Sequence, residues 1–236
     1  MRPKALIFDV FGTLVDWRNS IARQAEARFA VKGIDGVDAH AFADFWRGRY
    51  QPAMARIRDG DRGYVALDDL HAENLVETLD HFGMADAFHE DERIAFARDW
   101  ERLDPWPDVV TGLVALKRHA IIAPCSNGSI ALMTRLARHG GLPWDCILGA
   151  DIARDYKPKP AVYRACCDAL RLEPAEVMMV ACHNDDLAAA RNAGLATGFF
   201  ARATEYGPGQ DFDIEATSDW TVVADDVPDL ARRLFG

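Results

Sequence analysis

The stretch LIFDVFGTLVDW, residues 6–17, begins as an apolar run that breaks at Asp9 and continues with Phe11, Gly12 and Thr13. A short apolar run bounded by turn residues is typical of a strand buried in a sheet. Gly12 lets the backbone turn sharply, and the Thr13 hydroxyl can donate a hydrogen bond to a nearby carboxylate. Because open α/β sheets bind ligands at the carboxyl ends of their strands, the stretch predicts that Asp9 lies at a ligand-binding edge.

The chain after about residue 105 alternates strand-like runs with helical stretches. The runs are IIAPC (121–125), CILGA, VMMVAC (177–182), ATGFFA and WTVVAD. Strands that alternate with helices predict an α/β fold, in which a parallel sheet is covered by helices on both faces.

Residues from about 17 to 100 have a different pattern, in which apolar residues recur every three or four positions. The segments are SIARQAEARFAVKG, AFADFWRGRY and LDDLHAENLVETLDHFG. This spacing predicts amphipathic helices, with DPWPD (104–108) as the return linker. We therefore predict a catalytic core of residues 1–16 plus 103–236, and an inserted all-helical cap of residues 17–102.

Composition limits the partners and the compartment. The 236 residues carry a formal net charge of −10, which argues against a nucleic acid or an anionic membrane as the main partner. No window approaches the roughly 18 apolar residues of a membrane helix. The start, MRPKALIF, lacks a cleavage-site pattern, and the five cysteines include no CxxC pair. We therefore expect a cytoplasmic protein.

Three further groups follow later strands. PCSNGS places Ser126 and Asn127 before a helix whose free N–H groups attract an anion, and we expect Ser126 both to cap that helix and to bind the anion. YKPKP contributes Lys157, and CHNDDLAAAR contributes Asp185 and Asp186.

The order of these residues resembles the four-part motif of the haloacid dehalogenase superfamily. Asp-x-x-x-Thr is matched by Asp9 and Thr13, and Ser126, Lys157 and Asp186 follow in order. The resemblance implies a Rossmann-like core with an inserted helical cap, and it implies that Asp9 is a covalent nucleophile.

The sequence departs from most members, which are magnesium-dependent phosphatases with a second Asp two residues after the nucleophile. Phe11 occupies that position, and Cys182 occupies the place of the first acid of the metal-binding motif. A phosphatase needs an acid to protonate its leaving group and usually a metal to neutralise the phosphate, whereas a halide leaves as a stable anion. We therefore expect neither a metal nor another cofactor.

Asp-x-aromatic-Gly-Thr resembles the (S)-2-haloacid dehalogenase branch, type II. The resemblance implies that Asp9 attacks C2 of a short 2-haloalkanoate and that water hydrolyses the ester to an inverted 2-hydroxy acid and a halide. The resemblance also implies that Thr13 and Lys157 support the nucleophile and that Asp186 positions the water. Ser126 and Asn127 would bind the substrate carboxylate, and Arg47, rather than its neighbour Arg49, would bind the halide. Phe11 would contact the substrate, and Tyr163 matches an active-site tyrosine.

The sequence departs from this branch after the fourth strand, where Ala181, Cys182 and His183 stand in place of a Ser-Ser-Asn run. His183 therefore replaces an asparagine near the nucleophile, and Asp185 replaces a large aromatic residue. His183 could tune the water or the halide, or it could only support its neighbours. The sequence leaves open the preferred halogen, the acid chain length, the natural substrate and a possible homodimer through the cap helices.

Two other functions are weighed against dehalogenation. One is a magnesium-dependent small-molecule phosphatase that uses Asp185 and Asp186 as its metal pair. The other is a catalytically silent binding protein.

Overall fold

A computed structural model describes residues 2–236 as two sheets surrounded by helices. The strands are β1 (Ala5–Phe8), β2 (Val15–Asp16), β3 (Asp104–Pro105), β4 (Ile121–Ser126), β5 (Leu148–Gly149), β6 (Val177–Ala181), β7 (Ala196–Phe199) and β8 (Val222–Val223). Six of them form one parallel sheet in the order β5-β4-β1-β6-β7-β8. The predicted α/β fold is confirmed, and each of the six strand-like runs contributes a strand.

The first strand lies at the centre of this sheet. β1 pairs with β4 on one side and with β6 on the other, and all four of its residues are fully buried. The backbone N–H of Asp9 donates to the carbonyl oxygen of Val180 at 2.9 Å, so the ladder of hydrogen bonds extends to Asp9. The buried position explains the apolar run, and the end of the run places Asp9 at the carboxyl edge.

Helices cover both faces of the sheet. They are α6 (Val109–Lys117), α7 (Ile130–Gly140), α8 (Ala150–Ala153), α9 (Pro160–Leu170), α10 (Asn184–Asn192) and α11 (Val227–Phe235). Because side chains alternate along a strand, Ile7 and Met179 share one apolar cluster with α9 and α10, whereas Leu6 and Met178 share the opposite cluster with α6 and α11.

The insertion between β2 and β3 is helical. It contains α1 (Trp17–Lys32), α2 (Ala39–Gly48), α3 (Tyr50–Arg58), α4 (Leu67–His81), α5 (Glu90–Ala97) and a 3-10 turn at Arg98–Glu101. The sequence patterns predicted α1, α2 and α4, but not the shorter α3 and α5. The antiparallel pair of β2 and β3 lies where the chain enters and leaves the insertion, and the division into core and cap stays a prediction.

The insertion packs directly on the carboxyl edge of the sheet. Val10 and Phe11 belong to the same apolar cluster as Trp46 and Trp100 of the insertion. The Tyr156 hydroxyl donates to the carbonyl oxygen of Val65 at 2.6 Å. The ligand-binding edge is therefore covered by the helical insertion. Among the helices of residues 2–236, none is both long enough and apolar enough to cross a membrane.

Candidate active site

A cavity of about 300 Å³ lies between the sheet edge and the insertion. This volume is at the lower end of small-molecule sites. The core contributes Asp9, Phe11, Asn127, Lys157, Pro158, His183, Asp185 and Asp186, the insertion contributes Arg47, Tyr50 and Gln51, and the loop after β7 contributes Tyr206, Phe212 and Asp213.

Asp9 is held at both carboxylate oxygens. Its Oδ1 accepts a hydrogen bond from Lys157 Nζ at 2.8 Å, and its Oδ2 accepts one from Thr13 Oγ1 at 2.6 Å. His183 Nδ1 lies 3.2 Å from the same Oδ2. Burial raises the pKa of Asp9, but the charge of Lys157 and the hydrogen bond and charge of His183 outweigh it and hold the pKa well below its usual value. Asp9 is therefore an ionised carboxylate, the form in which a carboxyl group can act as a nucleophile.

Lys157 connects Asp9 to a second buried carboxylate. Its Nζ donates to Asp186 Oδ2 at 2.5 Å, and the Tyr163 hydroxyl donates to Asp186 Oδ1 at 2.5 Å. The backbone N–H of Lys157 donates to Asn127 Oδ1 at 2.9 Å. Burial lowers the pKa of Lys157, but the charges of Asp186 and Asp9 hold it well above its usual value. This flank of Asp9 carries a fixed positive charge.

Burial also raises the pKa of Asp186, although Lys157 opposes the rise. Its two oxygens each accept a short hydrogen bond, one from Lys157 Nζ and one from the Tyr163 hydroxyl.

The opposite flank of Asp9 contains a histidine between two carboxylates. His183 Nε2 lies 2.8 Å from Glu205 Oε2, and Trp17 Nε1 donates to Glu205 Oε1 at 2.9 Å. Burial lowers the pKa of His183, but Cys182, the Glu205 charge and the hydrogen bond to Asp9 raise it well above its usual value. His183 is therefore an imidazolium that faces Asp9.

Phe11 packs edge-on against aromatic rings of the insertion. Its ring centroid lies 6.4 Å from that of Tyr50, 6.3 Å from His71 and 5.8 Å from Trp100. An aromatic wall therefore stands two residues after Asp9, and it offers no proton to a leaving group.

Arg47 lines the cavity and has guanidinium donors without a partner among the described residues. Its Cζ lies 4.0 Å from the centroid of the Tyr50 ring. Within residues 2–236, its buried Nε and Nη1 have no hydrogen-bond partner. Arg49 stacks on Phe45 instead and does not line the cavity. Since a buried guanidinium without an acceptor is costly, Arg47 is suited to bind an anion.

The structure brings most of the predicted site residues together. Asp9, Phe11, Arg47, Asn127, Lys157, His183 and Asp186 line the cavity, and Thr13 and Tyr163 lie behind its carboxylates. Ser126 is fully buried and is not among the lining residues. Its Oγ accepts from the backbone N–H of Gly128 at 3.0 Å.

The expectation that Ser126 caps the following helix is wrong. Ser129 is the cap of α7, because its Oγ accepts from the backbone N–H of Leu132 at 2.9 Å. Ser126 belongs to the strand itself, three residues earlier, and is therefore too far from the first helical turn.

Several lining residues were not predicted from the sequence. They are Tyr50, Gln51, Tyr206, Phe212 and Asp213, and Glu205 lies directly behind His183. The pairing of β7 with β6 would have indicated this loop. In a parallel sheet, the loop after β7 begins at the same edge as His183, which follows β6.

The residues present do not fit a magnesium ion. Lys157 Nζ already bridges Asp9 and Asp186 and supplies positive charge to both carboxylates. Within residues 2–236, the one group of three close His, Cys or acidic ligands is Cys182, His183 and Glu205. Magnesium prefers oxygen ligands, so a thiol and an imidazole are a poor match.

Comparisons with known proteins agree with the motif order. Residues 3–194 match the family described as haloacid dehalogenase-like hydrolase. (S)-2-haloacid dehalogenase 4A of Burkholderia cepacia is 29% identical over 197 residues, which cover 82% of this chain and 81% of that protein.

Two solved structures are more similar in sequence. A defluorinating L-2-haloacid dehalogenase is 46% identical, with a TM-score of 0.97, and the match covers 99% of this chain and 96% of that one. Another L-2-haloacid dehalogenase is also 46% identical, with a TM-score of 0.93, over 98% of both chains.

Proposed function

Because the chain belongs to the haloacid dehalogenase-like hydrolases, we propose that it converts short 2-haloalkanoic acids to 2-hydroxy acids through an ester on Asp9. The observation that carries this proposal is the set of partners of Asp9. The carboxylate is ionised by Lys157 and His183, and it shares a cavity with the unpaired donors of Arg47. The enzyme is thus a hydrolase that acts on carbon–halide bonds.

The first half-reaction is a displacement at C2 of the substrate. An oxygen of Asp9 forms a bond to C2, and the carbon–halogen bond breaks with both electrons on the halide. A halide needs no proton to leave, which is consistent with Phe11 at the position of the missing acid. Arg47 receives the halide in this scheme, because it lines the cavity and its Nε and Nη1 have no hydrogen-bond partner within residues 2–236.

The second half-reaction is hydrolysis of the ester. Water adds to the carboxyl carbon of Asp9, the bond from that carbon to the substrate oxygen breaks, and the carboxylate is restored. Each turnover consumes one water and releases one hydroxy acid, one halide and one proton. Two moderate barriers replace the direct attack of water on C2.

The loop after β4 is the proposed site of the substrate carboxylate. Asn127 lines the cavity, and Ser126 fixes the loop through Gly128. The cavity of about 300 Å³ suits a short acid. A homodimer is the habit of the family that the sequence resembles, and the cysteine pattern predicts a cytoplasmic location; neither takes part in the reaction scheme.

The magnesium-dependent phosphatase is the weaker alternative. Asp186 of its metal pair is engaged by Lys157 and Tyr163, and Asp185 accepts from the backbone N–H of Asp186 at 2.8 Å. A binding protein without catalytic activity would not require an ionised Asp9 between Lys157 and His183.

The test is halide release by the purified protein from chloroacetate, fluoroacetate and (S)-2-chloropropionate, with and without a chelator. Fluoroacetate is included because a relative that is 46% identical is a defluorinating enzyme. We expect halide release that is unaffected by the chelator and that is absent in Asp9→Asn. Cleavage of p-nitrophenyl phosphate that the chelator abolishes, without halide release, would favour the phosphatase. No turnover of either class would favour the binding protein.

A further inference from the structure

We infer that Glu205 is a positioning residue that holds His183 as the base for hydrolysis of the Asp9 ester. This inference rests on the proposed function and concerns only its second half-reaction. It assigns the base to His183 rather than to Asp186, and it gives a role to a carboxylate outside the four sequence motifs.

The orientation of the His183 ring carries the inference. Nε2 lies 2.8 Å from Glu205 Oε2, and Nδ1 lies 3.2 Å from Asp9 Oδ2. A ring that is held at Nε2 can present only Nδ1 to Asp9. Once Asp9 is an ester, a water bound at Nδ1 lies beside the carboxyl carbon that it must attack, which is the geometry required of a general base.

The loop that carries the nucleophile is shaped to admit Glu205. The side chain of Glu205 is 1% exposed, and Trp17 Nε1 binds its other oxygen at 2.9 Å. A Cβ at Gly12 would lie 2.0 Å from Glu205 Oε1, and Gly12 has a φ of 87°. Gly12 therefore serves the turn after Asp9 and also leaves room for a carboxylate against the nucleophile loop. A buried carboxylate persists only when it is paired, and here its partners are Trp17, His183 and the Cys182 thiol.

Asp186 is poorly placed to be the base. Both of its oxygens accept short hydrogen bonds, one from the Lys157 ammonium and one from the Tyr163 hydroxyl. Asp186 is better suited to hold Lys157 against Asp9.

The proton balance follows from the loss of the Asp9 charge. In the free enzyme, His183 is an imidazolium between two carboxylates. Formation of the ester removes the negative charge of Asp9, so the ring loses a proton to solvent, and this is the proton that each turnover releases. The neutral ring keeps its Nε2–H on Glu205, which leaves the Nδ1 lone pair toward the ester.

The hydrolytic step then restores the free enzyme. Nδ1 takes one proton from water as the oxygen bonds to the Asp9 carboxyl carbon. The bond from that carbon to the substrate oxygen breaks, and the remaining proton of the water passes to the hydroxy acid. Asp9 is again a carboxylate, and His183 is again an imidazolium.

The test separates the two half-reactions in Glu205→Gln. A glutamine can offer an amide N–H to Nε2, which favours the neutral ring with its proton on Nδ1, the wrong form for a base. We expect one equivalent of halide to be released at a near-normal rate, followed by an ester on Asp9 that intact-protein mass spectrometry detects. Steady-state kcat should fall by roughly 10²–10⁴-fold, the usual contribution of a general base.

Two matched variants sharpen this test. His183→Asn should also trap the ester, and the double variant should be no slower than His183→Asn alone, because Glu205 acts through the ring. Glu215→Gln alters an exposed glutamate of the same loop, so it should leave both half-reactions unchanged.

Three results would overturn the inference. They are hydrolysis of the ester by Glu205→Gln at the wild-type rate, trapping of the ester in Asp186→Asn but not in Glu205→Gln, and loss of the first-turnover halide from both Glu205→Gln and His183→Asn. Failure of the wild-type enzyme to release halide would instead reject the proposed function.

Discussion

On each flank of Asp9, a cationic side chain lies between Asp9 and a second carboxylate, but the two cations differ in how readily they lose a proton. On one flank, Lys157 lies between Asp9 and Asp186, and its charge is fixed because two carboxylates surround it. On the other flank, His183 lies between Asp9 and Glu205. An imidazole can lose its proton when one of the two charges disappears, whereas the lysine keeps its proton. In the proposed reaction, the Lys157 flank therefore keeps Asp9 ionised, and the His183 flank responds when Asp9 becomes an ester.

The largest expected effect on stability is at Lys157. Lys157→Met would leave two buried carboxylates without the cation between them, and removal of one partner of a buried pair costs about 3–5 kcal/mol. We expect a loss of that size in the free energy of unfolding, measured with urea, together with loss of halide release. Lys159→Met is the control, because the Lys159 side chain is 42% exposed and should cost less than about 1 kcal/mol. Equal stability of the two variants would contradict a charge-bearing role for the Lys157 flank.

A smaller effect is expected at Gly12, on the side of His183. Gly12→Ala places a Cβ against Glu205 Oε1 and forces a left-handed backbone conformation on alanine, so we expect a loss of about 1–3 kcal/mol and slower ester hydrolysis. Gly33→Ala is the matched control, since Gly33 has a φ of 64° but no atom within 4 Å of the added Cβ. Gly33→Ala should lower the free energy of unfolding through backbone strain, but it should leave kcat unchanged. If Gly12→Ala hydrolysed the ester at the wild-type rate, the observed position of Glu205 would not be required for hydrolysis.

The smallest expected effect is a dependence on pH. The raised pKa of His183 in the folded enzyme contributes stability that is fully present below the pKa of the unfolded chain and is lost as pH rises through the folded value. The difference in unfolding free energy between wild type and His183→Gln should therefore be larger at pH 6 than at pH 9. A difference that grows with pH would mean that the ring is neutral in the folded enzyme.

The sequence predicted the Lys157 flank better than the His183 flank. Asp9, Lys157 and Asp186 follow strands or precede helices in a recognisable order, so the prediction placed them at one edge, as the structure does. Glu205 lies in an irregular loop between β7 and β8, where no periodicity fixes the path of the chain. Its approach to His183 depends on tertiary packing around Gly12 and Trp17, which is not visible in a linear pattern.

The fold was predictable for a similar reason. Five of the six strands of the main sheet are largely buried apolar runs, whereas the edge strand β8 is only partly buried. The family suggested by the motif order is confirmed. The pair of β2 and β3 was missed because strands of two residues leave no alternation to detect. The helices α3 and α5 were missed because they have nine and eight residues, which is little more than two turns.

The central claim, that Asp9 bonds to carbon, is tested most directly by a single turnover in oxygen-18 water with enzyme in excess over (S)-2-chloropropionate. The account predicts that the hydroxy acid carries an unlabelled oxygen taken from Asp9 and that the label appears in the Asp9 carboxylate. Label in the hydroxy acid of that first turnover, with Asp9 unlabelled, would contradict the account, because water would then have attacked C2 itself.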